Sequence, residues 1–263
     1  MRYGAMNSPL LPVLEEIELV GRLGFDYVEL ALDPPQASPG RLGGLAGDIR
    51  RLLDRHGLGL VCHLPTFVST ADLTERLRRA SVEEAVEALR VARDLGAEKA
   101  VLHPGVATGL GPRVPEEAAR AGWQSLGEIA AEAQRLGVAL CVENLFPRSR
   151  TLAGARDFEE LFSRFPDLGV TLDVGHAHLG SLGGERFEEL ARACGPRLRH
   201  LHASDNFGRH DDHLPIGAGA IDFGRVARIL RDVGYRGTVT LEVFSRDRDY
   251  LRISREKLSA LLG

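Results

Sequence analysis

Six short apolar runs in this chain end on an imidazole or a carboxylate. VCHLP carries His63, VLHPG carries His103 and LCVENL carries Glu143; TLDVGH carries Asp173 and His176, RHLHASD carries His202, and TLEVF carries Glu242. The stretch HDDHLPIGAG adds Asp211 and His213. Neutral imidazoles and carboxylate oxygens are ligands for Zn, Mn, Fe or Co, and the absence of thiolates from the set favours metals content with nitrogen and oxygen. Glutamate and histidine are also the groups that most often carry protons in catalysis. Four carboxylates drawn together would repel one another and lose hydration, at a cost on the order of several kcal/mol per unpaired charge. No lysine or arginine stands among these positions to offset them. A divalent cation is the expected compensation. The set is larger than one ion needs, so one to three ions per chain are expected, with surplus residues orienting the ligands.

Such convergence requires elements that carry distant residues to one place. The apolar runs Tyr3–Met6, Tyr27–Leu32, Leu58–Leu64, Lys99–His103, Val138–Asn144, Gly169–Val174, Arg197–Ala203 and Thr238–Phe244 alternate with amphipathic stretches. Helices are expected near residues 9–23, 41–56, 81–95, 115–136, 155–164, 184–194, 222–233 and 249–262. Ser81 precedes ValGluGlu as a capping box, and Asp222 can cap the helix it opens. Gly24, Gly57, Gly96, Gly137 and Gly234 each stand between a helix and a strand, where positive φ ends a helix cheaply. Strand followed by helix, repeated along the chain, predicts an α/β fold: one (β/α)8 TIM barrel over residues 1–263. Neither GxGxxG nor GxxxxGK[ST] follows the first strand, which removes the signal for a dinucleotide or P-loop open sheet. Barrel strands alternate between lumen and helix layer, and their C-terminal ends share one mouth. The five histidines and four carboxylates would meet there.

Composition bounds the rest. With 263 residues, 44% hydrophobic and 27% charged, the chain has a globular composition rather than that of a disordered or fibrous one. A net charge of −4 advertises no nucleic-acid partner. Cys62, Cys141 and Cys194 are odd in number and widely spaced, which fits a reducing cytoplasm better than a disulfide framework. No apolar run reaches membrane-spanning length, so no membrane partner is expected, while a homo-oligomer is compatible with the composition.

Some residues have a plainer reading beside the chemical one. Asp173 with His176 can cap a helix. His200 shares the lumen face with His202 and reads as a core or supporting residue; Glu29 reads as pairing with a neighbour inside the barrel. His56, His178 and His210 read as surface or packing, and Trp123 as packing. Gly217 and Gly219 could offer backbone N–H groups to a substrate phosphate, or simply form a turn. Arg209, Arg246 and Arg248 lie near the same rim, and Arg209 is the expected substrate contact among them.

Taken together these residues resemble the xylose isomerase-like barrel superfamily, which joins sugar isomerases and epimerases with endonuclease IV-type repair enzymes. The resemblance covers nearly the whole chain. It implies that His63, His103, Glu143, Asp173, His176, His202, Asp211, His213 and Glu242 match the trinuclear zinc set of the repair branch. Glu143, Asp173, His202 and Glu242 match the four ligands that the epimerases place around one Mn or Co ion. HLPIGAGAIDF…GYRGTVTLEVF is similar to the C-terminal signature of the sugar phosphate isomerase/epimerase branch. Two departures point away from DNA: Thr66 and Ser69 stand where the repair branch carries tyrosine and asparagine, and Glu143-Asn144-Leu145-Phe146-Pro147 replaces its glycine-rich loop.

The expected activity is isomerisation or epimerisation of a small sugar or sugar phosphate. Glu143 and Glu242 would exchange protons beside a carbonyl through a metal-stabilised enediolate, with His176 orienting substrate. The alternative is hydrolysis of abasic DNA by a trinuclear zinc site.

Overall fold

Each apolar run becomes a strand of one parallel sheet because both of its faces are buried, one against helices and one inside the ring. The structure, a computed structural model, describes residues 1–105, 108–147, 152–181 and 183–263. The strands are β1 (Arg2–Met6), β2 (Tyr27–Ala31), β3 (Gly59–His63), β4 (Lys99–Leu102), β5 (Leu140–Glu143), β6 (Gly169–Asp173), β7 (Leu198–Ala203) and β8 (Thr238–Leu241). They pair in chain order, and β8 returns to β1, closing the (β/α)8 barrel that the alternation predicts. Around it lie α1 (Val13–Arg22), α2 (Pro39–His56), α3 (Glu75–Leu95), α4 (Pro115–Leu136) and α5 (Ala155–Arg164). The series continues with a short α6 (Val174–His178), α7 (Glu185–Cys194), α8 (Phe223–Asp232) and α9 (Asp249–Leu262).

The two-residue period of each strand decides what faces where. Val28, Leu30, Cys62, Leu102, Val142, Leu172, Leu201 and Leu241 belong to the large core shared with the helices. Tyr27, Val61 and Val101, of the opposite parity, form a separate buried cluster inside the barrel. Two residues on from each of these come Glu29, His63 and His103. The polar set is therefore the upper continuation of the lumen face.

The five glycines expected to end helices all take φ between 63° and 79°. Asp222 caps α8 by accepting the Arg225 amide at 2.8 Å. Ser81 does not cap. The helix begins at Glu75, and Ser81 lies inside it, donating to the Leu77 carbonyl at 2.9 Å and accepting the Ser69 amide at 3.0 Å. A serine hydroxyl can turn back on its own helix in this way, so this one ties down the loop after β3 while the good helix formers ahead of it extend α3. The three cysteines are buried and free. No helix among the described residues is long and apolar enough to cross a membrane.

Asp222→Ala should lower stability by about 1 kcal/mol. The measurement is urea unfolding, which should show a lower midpoint at unchanged slope.

Candidate metal centre

The strand ends gather at the C-terminal mouth around His202. Its Nδ1 lies 3.0 Å from Glu242 Oε1, 3.4 Å from Glu143 Oε1 and 3.9 Å from Asp173 Oδ2. Each glutamate turns its second oxygen to another histidine. Glu143 Oε2 is 3.2 Å from His63 Nε2, and Glu242 Oε2 is 3.6 Å from His213 Nδ1. Asp211 Oδ2 stands between His176 Nε2 at 3.3 Å and His213 Nε2 at 3.0 Å. His103 joins Glu143 and His176 in a group whose potential ligand atoms lie within 4.8 Å of one another. All nine residues thus form one contiguous cluster, buried except for the partly exposed His103, Asp211 and His213.

Local backbone chemistry sets these orientations. Asp173 closes β6 and caps α6 with one oxygen, Oδ1 accepting the His176 amide at 2.5 Å, while Oδ2 faces His202. Asn144 follows Glu143 and accepts the Asp173 amide at 2.6 Å; its own carbonyl accepts His176 Nδ1–H at 2.9 Å. The sequence reading assigned Asn144 no role, although an amide directly after a strand-end glutamate was the available signal. His63 donates Nδ1–H to the Leu64 carbonyl at 2.8 Å, and His213 donates its own to the Glu242 carbonyl at 3.1 Å. Those three histidines turn Nε2 to a carboxylate of the cluster, Glu143 for His63 and Asp211 for His176 and His213. His202 is reversed: its Nε2 meets Glu29 Oε1 at 3.2 Å, and Nδ1 faces the cluster.

Within the cluster the histidines supply the positive charge. Burial alone would raise Glu143, yet the positive charge of His202 and the hydrogen bond from His63 hold it well below the usual carboxylate range. Burial likewise opposes the charged form of His63, but Glu143 pushes its pKa up to about 9. His213 also reaches about 9 against burial, through Asp211 and Glu242. Asp173 is pushed up to about 7, chiefly by burial and further by Glu242 and Glu143, with His176 opposing. Burial takes His103 down to about 4, leaving the neutral imidazole that metals bind.

Whether these residues suit a metal is answered by their unmatched atoms. Asp173 Oδ2, His202 Nδ1 and Asp211 Oδ1 are buried and make no hydrogen bond among the described residues. Polar atoms left unmatched in a dry site are expensive, and a shared cation that displaces the imidazole proton would satisfy several together. The donor set is nitrogen and oxygen throughout, and the residues fit a divalent ion. Above them opens a cavity of about 550 Å³ with apolar walls that include Phe67, Phe146 and Phe244. Phe146 lies 4.4 Å from the His176 ring and Phe244 4.9 Å from that of His213, centroid to centroid.

Other expectations part company with the structure. Gly217 and Gly219 do not hold their amides out for a phosphate. Both donate to Asp205 Oδ2 at 2.9 Å, while Oδ1 takes the amides of Asn206 at 2.9 Å and Ile221 at 3.1 Å. A buried carboxylate already occupies the place an anion would take. Arg209 is exposed and is not among the residues lining the cavity. Arg246 is exposed as well, and Arg248 pairs with Glu16 at 2.7 Å. The plainer readings account for the other histidines and Trp123: His56 binds Glu18 at 2.9 Å, His178 is buried, His210 is exposed, and Trp123 packs on Phe165.

The profile of the family described as xylose isomerase-like TIM barrel matches residues 17–261, and the chain belongs to that family. An uncharacterised protein of Methanocaldococcus jannaschii, MJ1311, is 30% identical, the match covering 98% of this chain and 92% of that one. Fructoselysine 3-epimerase of Escherichia coli O157:H7 is 25% identical over 96% of this chain and 94% of its own length. Among solved structures, a D-tagatose 3-epimerase-like protein superposes with a TM-score of 0.85 at 28% identity, covering 100% of this chain and 97% of that one.

Two outcomes follow from the site. Mn²⁺ or Co²⁺ at about 100 times its dissociation constant should add roughly 2.7 kcal/mol of stability. Thermal melting should show a rise of several degrees that a chelator reverses. Asp205→Ala should cost about 3 kcal/mol, because four amides lose their acceptor, whereas inorganic phosphate should leave the wild-type melting temperature unchanged.

Proposed function

We propose that this protein is a metal-dependent epimerase of unphosphorylated keto sugars. The observation that carries this reading is the placement of two glutamates about one point, Oε1 of Glu242 at 3.0 Å and Oε1 of Glu143 at 3.4 Å from His202 Nδ1. Glu143 ends β5 and Glu242 follows β8, so they approach from strands separated by β6 and β7 in the closed ring. The names of the two epimerase relatives support inversion beside a ketose carbonyl, at the third carbon.

Glu143, Asp173, His202 and Glu242 would hold the ion. A divalent metal there, with Mn, Co or Zn all suited to the donors, supplies a Lewis acid that acidifies the C–H beside a carbonyl. A sugar carbon between the two glutamates has a carboxylate on each face. One glutamate takes the proton and the other returns a proton to the opposite face, which inverts that carbon by way of an enediolate of the sugar. His63 and His213 lie beside the outer oxygens of Glu143 and Glu242, while the inner oxygens converge on His202 Nδ1, where the ion would be held; the outer oxygens would carry the protons. His176, held by the Asn144 carbonyl and Asp211, lines the cavity and would orient a substrate hydroxyl. A neutral sugar suits the cavity better than a sugar phosphate: the Gly217 and Gly219 amides are engaged, and no lysine or arginine lines it among the described residues.

One observation favours a second reading, hydrolysis of abasic DNA with three zinc ions. His63, His103, His176, Asp211 and His213 extend the cluster beyond a four-ligand centre. Elemental analysis separates the two, with about one Mn or Co per chain expected for epimerisation and about three zinc ions for hydrolysis. Cleavage of an abasic duplex, abolished by a chelator, would make the second reading the correct one.

The direct test is a panel of free ketoses in D2O. Epimer formation should be accompanied by deuterium at the inverted carbon. Glu143→Gln and Glu242→Gln should each lower kcat by about 10²–10⁴-fold while sparing the fold. Full turnover by Glu242→Gln would remove it from the proton-transfer role.

A further inference from the structure

Beneath the cluster, inside the barrel, runs a buried hydrogen-bonded column that proton transfer does not use. Lys99 Nζ donates to Thr238 Oγ1 at 2.8 Å, and the same oxygen lies 2.6 Å from His200 Nδ1. Since the ammonium can only donate, Thr238 Oγ1 accepts from it and its O–H is free to point at His200 Nδ1. That nitrogen then accepts, and His200 donates Nε2–H to Glu29 Oε2 at 2.9 Å. Thr240 also donates to Glu29 Oε2, with the Tyr27 hydroxyl 2.9 Å behind it. The remaining oxygen, Glu29 Oε1, faces His202 Nε2 at 3.2 Å. Glu29, His200 and His202 are wholly buried, and Thr240 with them. Every donor in the column runs toward one carboxylate.

We infer that Glu29 is a positioning residue for the metal centre: it holds the proton of His202 on Nε2 and so turns the Nδ1 lone pair toward Glu143, Asp173 and Glu242. This rests on the proposed metal-dependent reading of the site. His63, His176 and His213 are oriented by backbone carbonyls, through Nδ1. His202 is oriented the other way round and by a carboxylate, a stronger acceptor that raises the basicity of the opposite nitrogen. The carboxylate is itself pinned by three donors, so the ring can neither flip nor move its proton without breaking the column. The group formed by Glu29, His200 and His202 has the composition of a small metal site. The atoms that face one another there, Nε2 of His200 and of His202 against the two Glu29 oxygens, are already paired, which makes the group support for the ion above rather than a second ion's seat.

The experiment uses full-length protein stripped by chelator and titrated with Co²⁺, whose visible d–d absorption reports the ligand geometry. Glu29→Gln keeps the shape, weakens the acceptor and can turn an amide N–H toward His202. It should bind Co²⁺ about 10–100-fold more weakly, with an altered d–d spectrum, unchanged stoichiometry and wild-type circular dichroism. Thr240→Val leaves both histidines and Glu29 in place and should weaken binding roughly 3–10-fold; it carries the same readout should Glu29→Gln fail to fold. A purely structural role would lower the melting temperature and leave affinity and spectrum alone. Wild-type affinity and spectrum in a folded variant would overturn the inference, as would the loss of one Co²⁺ per chain, which would make Glu29 a ligand. Failure of the wild-type protein itself to bind Co²⁺ would instead bring down the metal-centred reading, and the role of Glu29 with it.

Discussion

Charge compensation at the mouth of a closed barrel governs this molecule. Glu143, Asp173, Asp211 and Glu242 come from separate segments, and closing the ring forces them into one poorly hydrated volume. Carboxylates so placed need positive partners, because the self-energy of a buried charge far exceeds what packing alone can offset. Among the described residues histidines are the only positive partners within the cluster, and their protons answer the carboxylates pair by pair. Imidazolium is a replaceable counterion. The same nitrogen that holds a proton against a carboxylate becomes a metal ligand once the proton leaves. On the proposed metal-dependent reading such a cluster would exchange protons for a cation, and the unmatched Asp173 Oδ2 and His202 Nδ1 mark where the exchange would fall.

Orientation is the second constraint. An imidazole offers two nitrogens, and which of them faces a site is settled by whatever binds the other. Here strand-end carbonyls perform that service for three histidines, and the barrel lumen performs it for the fourth. The interior is therefore more than packing. Tyr27, Val61 and Val101 fill its apolar part, while Glu29, His200, Thr238 and Thr240 form a polar column under His202. The site is built on strands, where neighbouring strands fix the backbone, and loops contribute mainly Asp211, His213 and the apolar walls of the cavity.

Much of this was legible in the residues. The apolar runs found the strands to within two or three residues, and strand parity placed Glu29 and His200 inside the barrel. Errors arose where one residue type can serve two hydrogen-bonding ends. Ser81 was expected to cap a helix and instead bonds back within one; the choice depends on how far α3 extends, which local pattern does not decide. Gly217 and Gly219, open to either a phosphate seat or a plain turn, face Asp205, a residue twelve and fourteen positions earlier. Asn144 drew no attention because its partners, Asp173 and His176, lie on the next strand and helix.

The sequence by itself determined residue chemistry and period: which side chains can bind a cation, which strands alternate, and therefore that acids and imidazoles of one parity share one end of a barrel. These properties follow from the covalent side chain and from two-residue alternation, both local. Tertiary structure alone decided which oxygen meets which nitrogen. It assigned one oxygen of Asp173 to a helix cap and left the other bare, gave the glycine-loop amides to Asp205, and turned His202 by means of Glu29, whose neighbours come from β7 and β8. Hydrogen bonds and Coulomb forces act over a few ångströms through space, and only the closed chain sets those distances.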